Sequence, residues 1–361
     1  MHPNKLSAVF GAVSFALFGI LFATTAAGQP SKPGRFKDSV SAKKFFKGNI
    51  HTHTSETDGD APPDQVVNWY KKNGYDFLSV TDHDKLTPTP PGITNEKFIT
   101  LNGVELTGLA VNRAPVHVNA ICGKSALKGV RNKEPVLDVL KANIALSRDD
   151  GAITMVNHPN FGWAIKRDDL LKAADFDLLE IASGHFLVND RGDEKDLVAR
   201  PSSEMLWDMY LTNTGPVFGA AVDDSHNYHE FRANLVNPGR AWLNVWAPSL
   251  TNDSICEAIR KGHFYSTKIS SKNKFRRPAR DIEIKSLVVS SNRIEVRMAR
   301  WAAGDKVAFI GADGKVLKVS KSNPSRYTLK GGEKYVRAYV KKVGSGTTLE
   351  AWTQPYFVTY E

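Results

Sequence analysis

Histidine and acidic residues recur in this sequence at spacings that suit metal binding. His51 and His53 form an H-x-H pair, and Asp224 and His226 form an equivalent D-x-H pair. Because alternate residues of a strand point to the same face, each pair can address one ion. Further residues of the same types stand in short motifs elsewhere, namely Asp58, His83, Glu105, His117 and His158. This mixture of imidazoles and carboxylates favours Zn, Mn or Fe over Ca or Mg, which prefer mostly oxygen ligands.

Nine ligand-type side chains exceed what one ion can use. We therefore expect two or three divalent ions, with a carboxylate such as Glu105 as a natural bridge between them. Taken singly, each histidine could equally be structural or exposed. Their common position at or near the ends of apolar runs is what favours a shared site.

The elements that must position these residues are short apolar runs separated by amphipathic stretches. The runs cover residues 77–80, 98–101, 116–121, 152–156, 178–181 and 217–222. Helical patterns cover 61–73, 134–147, 202–211 and 252–261. Strand and helix alternation of this kind predicts a parallel sheet, open or closed into a barrel. Side chains at the carboxyl ends of barrel strands converge on one face, so the nine residues would meet in one cleft.

The motifs resemble those of the PHP (polymerase and histidinol phosphatase) superfamily. The matching segments are H-T-H-T at 51–54, T-D-G at 57–59, T-D-H at 81–83, G-V-E at 103–105, His117, H-P at 158–159 and D-S-H at 224–226. The resemblance covers about residues 48–270 and implies a distorted (β/α)7 barrel. It also implies that the nine residues are the metal ligands and that the chain hydrolyses phosphate esters by attack of metal-bound hydroxide.

Further groups are needed for the leaving group and for the phosphate oxygens. His185 ends another apolar run outside the metal pattern and is our first candidate for the proton donor, with Asp223 as its competitor. Arg240 is our first candidate for a phosphate-binding cation, ahead of other loop cations. Those others are Arg113, Lys166, Arg167 and Arg191.

Composition excludes several classes of protein. The chain has 361 residues, of which 41% are hydrophobic and 24% charged, which is ordinary for a globular protein of about two domains. Two cysteines cannot staple a chain of this length, so a disulfide scaffold is excluded. Cys122 and Cys256 could pair in an oxidising compartment or remain buried thiols, and the sequence leaves both open.

The N-terminus has the pattern of an export signal. Lys5 precedes an apolar run over residues 6–22 and small residues over 23–28, which predicts a signal peptide at 1–28 and a periplasmic or extracellular location. An uncleaved membrane anchor is the alternative, because residues 6–27 are just long enough to span a bilayer. Residues 29–47 are predicted to be a linker.

The region after residue 270 has a different pattern. Residues 271–280 carry five basic side chains and are predicted to be a basic linker. Alternating apolar runs follow, which predicts a small all-β, sandwich-like domain over 281–361. The net charge is +6 over residues 1–50, −7 over 51–270 and +11 over 271–361. The basic C-terminal region could contact an anionic polymer, although solvated surface charge explains the excess equally well.

Three functions fit the sequence. The first is a secreted metal-dependent phosphoesterase that acts on a phosphorylated small molecule, as a mono- or diesterase. The second is an extracellular nuclease of the same chemistry, which the basic tail favours. The third is a non-catalytic metal-holding or polysaccharide-binding module, which the complete ligand set disfavours.

Overall fold

Five α-helices lie within the part of the chain that the computed structural model describes, residues 34–271, 282–344 and 346–360. They are α1 (Pro63–Lys72), α2 (Val136–Asp149), α3 (Arg167–Lys172), α4 (Ser203–Asn213) and α5 (Asn252–Arg260). Four of them confirm the helical patterns of the sequence, and the short α3 was not predicted. The Thr251 hydroxyl caps α5 by accepting from the Ser254 amide, and Pro63 opens α1.

The strands before residue 272 are distributed over three sheets, the third of which contains only β2 from this part of the chain. They are β1 (Gly34–Phe36), β2 (Val40–Ala42), β3 (Phe46–Asn49), β4 (Phe77–Ser79), β5 (Ile99–Leu101), β6 (Gly103–Leu109), β7 (Pro115–Ile121), β8 (Ile153–Val156), β9 (Leu178–Ser183), β10 (Phe218–Val222), β11 (Ala241–Val245) and β12 (Phe264–Ser271). Strands β3, β4 and β5 pair in parallel, and so do β8, β9 and β10. The parallel prediction fails for β7, which runs antiparallel to both β6 and β8.

Two isolated bridges join the sheet that contains β3, β4 and β5 to the sheet that contains β6–β10, near the carboxyl ends of their parallel strands. Thr52, just after β3, pairs with Ser225, just after β10, and His83, just after β4, pairs with Glu105 of β6. Both bridges contain or adjoin predicted ligands. The segments that follow the parallel strands are thereby held side by side.

Residues 34–47 were predicted to be a linker, and the structure differs there. β1 pairs with the last strand of the chain, β2 pairs with the strand Ile284–Ser290, and β3 pairs with β11 and β4. Phe36, Val40 and Ala42 are buried in the core shared with the C-terminal strands. The segment is short and rich in Lys and Ser, so its pairing partners, which lie far along the chain, could not be seen in its own pattern.

The C-terminal region consists of strands, as predicted. They are β13 (Ile284–Ser290), β14 (Arg293–Met298), β15 (Val307–Ile310), β16 (Val316–Ser320), β17 (Ser325–Thr328), β18 (Tyr335–Gly344), β19 (Thr347–Thr353) and β20 (Tyr356–Tyr360). A sheet in the order β17-β14-β13-β2 shares one apolar core with strands β15, β18 and β19.

No boundary separates this region from the rest of the described chain. β12 pairs with β11 on one side and with β19 on the other, so one sheet runs through both regions. All described residues belong to one unit, Lys32–Glu361. The predicted basic linker falls almost wholly outside the described residues.

A disulfide joins Cys122, directly after β7, to Cys256 of α5, across 134 positions of sequence. The apolar face of α5 packs against the strands through Ile255 and Ile259, which share a buried cluster with Phe77 of β4 and Ile153 of β8. The sequence left this pairing open, and the fold brings the two cysteines together. In the described part of the chain, no helix combines the length and apolarity that crossing a bilayer requires. The predicted signal peptide lies outside the described residues.

Candidate metal centre

The strand ends bring all nine predicted ligands together. His51 and His53 follow β3, His83 follows β4, His158 follows β8, and Asp224 and His226 follow β10, while β6 and β7 supply Glu105 and His117. Four overlapping groups of side chains, each with donor atoms within 4.8 Å of one another, contain all nine and no other residue. Together with Phe161, His185 and Val188, most of them line a cavity of about 150 Å³.

The backbone at two of these ligands has an unusual conformation. His158 has φ 21° and Asp224 has φ 48°. Left-handed backbone is rare for residues with a side chain and is commonly retained at functional sites. Both residues directly follow buried strands, so the turn aims each side chain into the cavity as the chain leaves the sheet.

Four donor atoms form the first donor group: His51 Nε2, His53 Nε2, Glu105 Oε2 and Asp224 Oδ1. The His51 nitrogen lies 3.3 Å from each carboxylate oxygen, and the His53 nitrogen lies 3.2 Å from each. A tetrahedral ion with bonds of about 2.0 Å separates its ligand atoms by about 3.3 Å. These N···O distances are therefore compatible with neighbouring ligands of one ion of zinc size.

The other carboxylate oxygen of Glu105 contacts His117 and His158, and we call these three residues the second donor group. His117 also lies close to His83, and His158 to His51. Glu105 Oε1 lies 3.0 Å from His117 Nδ1 and 3.3 Å from His158 Nε2. One carboxylate therefore contacts two sets of imidazoles, one through each oxygen. This is the arrangement expected of a bridging ligand, and the side-chain amide of Asn157 supports it by donating to Oε1 at 2.8 Å.

The third donor group contains Asp58, His83 and His226, and it shares His53 with the first group. Asp58 Oδ2 lies 3.3 Å from His83 Nε2 and 3.4 Å from His226 Nε2. Asp58 is about half exposed, so this group is the one nearest solvent. The loop that carries it is fixed by Asp82, which accepts from the Thr54 amide at 2.8 Å and from the Thr57 hydroxyl at 2.9 Å.

Several of these atoms are buried without a hydrogen-bond partner, which tests whether the residues fit metal ions. His51 Nε2, His53 Nε2 and Glu105 Oε2 are fully buried, and none of them makes a hydrogen bond. Leaving a buried polar atom unsatisfied costs about 1–3 kcal/mol. An ion placed among them would satisfy all three at once, so the donor set fits metal ions.

Charge within the cluster shifts the pKa values strongly. Burial lowers the pKa of His51 and His53, but Asp224 and Glu105 outweigh it and raise the pKa of His53 to about 10 and that of His51 well above its usual value. Burial would raise the pKa of Glu105 and Asp224, and the imidazoles instead hold both well below their usual range. Without ions, protons on the histidines balance the carboxylates, and bound cations would replace them.

Glu180 is the site residue that sequence reasoning missed. It lies in β9, is 1% exposed, and its Oε2 accepts from the His51 Nδ1 proton at 3.2 Å. This contact leaves His51 Nε2, the atom of the first donor group, free of its proton in the neutral ring. The signal was present in the sequence, because Glu180 is the one acidic residue inside the apolar run 178–181.

His185 lies at the cavity, as predicted. Its ring centroid is 5.7 Å from that of His226 and 6.3 Å from that of Phe161. The Leu187 amide donates to His185 Nδ1 at 3.3 Å, so the neutral ring carries its proton on Nε2. Burial lowers the pKa of His185, which favours this neutral form near pH 7.

Asp223 and Arg240 are placed differently from the prediction. The Asp223 carboxylate accepts from the Tyr70 hydroxyl at 2.9 Å and from three successive amides, those of Gly239, Arg240 and Ala241, at 2.7–2.8 Å. Its oxygens are thus occupied in holding a loop. Neither residue belongs to the cavity lining, as far as the described residues define it.

The Arg240 guanidinium is likewise engaged with protein groups. It donates to the Arg232 carbonyl at 2.9 Å, to Asn237 Oδ1 at 3.2 Å and to the Gly184 carbonyl at 3.4 Å. Asp223 and Arg240 therefore shape the loops beside the site and do not face it. Sequence proximity to the ligands suggested the catalytic roles, but side-chain direction at the strand end decided otherwise.

Comparison with known proteins gives only remote similarity. No family model and no curated protein matches the chain. Similar solved structures include a two-domain protein from Bacteroides vulgatus, described as containing a predicted PHP-like metal-dependent phosphoesterase, with TM-score 0.41 and 14% identity over 88% of this chain and 95% of that one.

Two other similar structures cover less of the chain. An amidohydrolase from Chromobacterium violaceum has TM-score 0.36 and 15% identity over 50% of this chain and 88% of its own. A protein from Bifidobacterium adolescentis, described as a putative metal-dependent phosphoesterase, has TM-score 0.35 and 16% identity over 59% of this chain and 95% of its own. The function proposed below is based on the side chains of the site and not on these similarities.

Proposed function

We propose that this chain is a multinuclear metal-dependent phosphoesterase of the PHP type. The observation that carries the proposal is the set of nine donors in three groups, with the two oxygens of Glu105 shared between the first and second. Three adjacent groups of this kind suit two or three divalent ions of Mn, Zn or Fe. Ions held there would lower the pKa of a bound water to about 7 and neutralise phosphate oxygens.

The residues of the chain have distinct tasks in this proposal. Glu180 and Asn157 orient His51 and Glu105, which keeps their donor atoms directed into the cavity. His185 presents its Nε2 proton at the cavity and can donate it to an oxygen of the ester. No Lys or Arg lines the cavity among the described residues, so the positive charge for phosphate would come from the ions.

The experiment is hydrolysis of an aryl phosphomonoester and of the matching diester by manganese- or zinc-loaded protein. His226→Ala, which removes a member of the third donor group, is expected to lose activity to the level of buffer. His229→Ala is the matched control, because this nearby histidine is exposed and outside the donor groups, with Nε2 at the Asp60 carbonyl. Wild-type protein with bound ions that hydrolyses neither ester would refute the proposal.

The two substrates also separate a phosphatase from a nuclease of the same chemistry. Monoester preference favours a phosphorylated small molecule as substrate, whereas diester preference favours the nuclease. The charge of +11 over residues 271–361 is the observation that favours the nuclease or another anionic polymer as partner. A steep loss of diester affinity with salt would support it.

We further propose the barrel and the location inferred from the sequence, whereas the C-terminal strands belong to the same unit as the barrel. β3, β4, the consecutive strands β5 and β6 counted as one, β7, β8, β9 and β10 would form the distorted seven-stranded barrel, closed by the two bridges. Export through the signal at 1–28 is supported by the Cys122–Cys256 disulfide, because disulfides persist in oxidising compartments. Fusion of residues 1–28 to a reporter that is active only after export tests this.

A further inference from the structure

The loop between β9 and α4, residues 184–202, connects the cavity to the C-terminal strands. We call it the His185 loop. It supplies His185 and Val188 to the cavity lining. Asn160 ties it to the segment after His158 by donating to the Asn189 carbonyl at 3.0 Å and to the Pro201 carbonyl at 2.9 Å. The loop has no helix or strand of its own, so side-chain contacts must hold its shape.

Two charged residues of the loop, Asp190 and Arg191, are bound by side chains of β12 and β19. Arg191 Nη2 donates to Glu350 Oε2 of β19 at 2.6 Å and to Ser270 Oγ of β12 at 3.1 Å. Asp190 forms an ion pair with Lys268 of β12 and also accepts from the Ser183 amide at 3.1 Å. These contacts lie two and three positions beyond Val188.

Glu350 is itself held firmly. Its carboxylate is 6% exposed, and the Tyr339 hydroxyl of β18 donates to Oε1 at 2.8 Å while Arg191 takes Oε2. Burial by itself would lower the pKa of Arg191, but the nearby Glu350 carboxylate has the larger effect and raises this pKa above its usual value. Charge-assisted bonds to a buried carboxylate are stronger than exposed ion pairs, so this anchor can fix the loop.

We propose that the C-terminal strands position the His185 loop over the metal centre, with Glu350 acting through Arg191 as a positioning residue. This inference depends on the function proposed above. It gives the C-terminal region a role in the reaction: the region holds the loop that carries His185. Arg191, one of the loop cations considered for phosphate binding, is engaged by Glu350 in this arrangement.

The decisive variant is Glu350→Gln, which keeps the side-chain volume and an acceptor for Tyr339 but removes the charge. Glu295→Gln is the matched control. Glu295 Oε2 also accepts from an arginine, Arg326, at 2.6 Å, and Arg326 and Arg191 are 49% and 48% exposed. Glu295 lies in the other sheet of the C-terminal region, in β14.

The first readout is hydrogen exchange of peptides from the His185 loop, which needs no turnover. We expect faster exchange in Glu350→Gln, and exchange as in the wild type in Glu295→Gln. The second readout is kinetic, with metal content measured in parallel. We expect kcat to fall about tenfold in Glu350→Gln with ion content unchanged, since misplacing a group by about 1 Å can cost up to about 100-fold.

A double variant separates positioning from a general structural effect. In a His185→Ala background, Glu350→Gln should change kcat less than twofold if it acts through His185. Arg191→Lys, which keeps the charge, should retain more activity than Arg191→Met. If loop exchange or kcat in Glu350→Gln equals that in Glu295→Gln, the inference is wrong. If the wild type hydrolyses neither ester, the proposed function fails, while the exchange data still decide whether Glu350 fixes the loop.

Discussion

Glu180 provides the sharpest test of how this centre holds its ions. The change is Glu180→Gln, which preserves size and leaves the nine donors in place. Glu180 Oε2 accepts from the His51 Nδ1 proton at 3.2 Å in a buried setting, and His51 Nε2 belongs to the first donor group. Removing the charge therefore weakens the basicity and the orientation of one ligand without removing it.

The size of the effect follows from the type of bond. A hydrogen bond to a charged group contributes about 1.5–3 kcal/mol. At about 1.4 kcal/mol per tenfold change, this predicts a loss of affinity of about 10- to 150-fold at the first donor group. The third group contains neither Glu180 nor His51, so we expect its affinity to change by less than about threefold, whereas the second group shares Glu105 and His158 with His51 and is expected to change more.

The assay is competition of the metal-free protein with a chromogenic chelator, together with metal analysis of the dialysed protein. Glu333→Gln is the control, because Glu333 is also buried and bound by two tyrosine hydroxyls, at 2.7 and 2.9 Å, but lies in the C-terminal region. Affinity in Glu180→Gln within twofold of the wild type at every site would refute the orienting role.

Four further outcomes are expected from the structure. Glu105→Gln is expected to lose ions from both the first and second donor groups, whereas His117→Ala should lose them only from the second. Equal ion contents of these two variants by metal analysis would contradict a bridging role of Glu105. Metal uptake at pH 7 should release at least one proton, because the pKa of His53 is raised to about 10 in the metal-free protein. Metal affinity should therefore rise with pH up to that value. Calorimetry in buffers of different ionisation enthalpy measures the proton release, and no release would contradict the prediction. The same raised pKa means that the stability contributed by protonated His53 is complete below about pH 6.5 and is lost as the pH rises through 10. The Cys122→Ala/Cys256→Ala variant should unfold at lower denaturant than the wild type, with a loss of up to about 5 kcal/mol because the bond closes a loop spanning 134 positions; unchanged midpoints would show that the bond adds nothing.

The sequence alone determined the donor set. The pairs at 51 and 53 and at 224 and 226, and the strand-end position of residues such as His83, place donor atoms by local rules. Alternation along a strand depends on a short segment, so it can be read without the fold. The convergence of strand ends was expected only because strand and helix alternation predicted a barrel. The helices could be predicted for the same reason, because caps and apolar spacing are local.

Only the tertiary structure decided which of the polar residues near the donors face the cavity. Asp223 adjoins a ligand, yet its oxygens accept from three successive loop amides, while Glu180, inside an apolar run, reaches His51 from another strand. In strands buried on both faces, hydrophobic residues lie on each side, so the pattern does not reveal the direction of a polar side chain.

Long-range partners were also beyond the sequence. The Cys122–Cys256 bond, the pairing of β1 with β20 and the contact of Arg191 with Glu350 each join segments more than 130 residues apart. Their energies depend on where a distant part of the chain lies, and no local pattern of charge or hydrophobicity carries that information. The candidate donors were therefore predictable from the local sequence, and the groups that orient and enclose them depend on the packing of the whole chain.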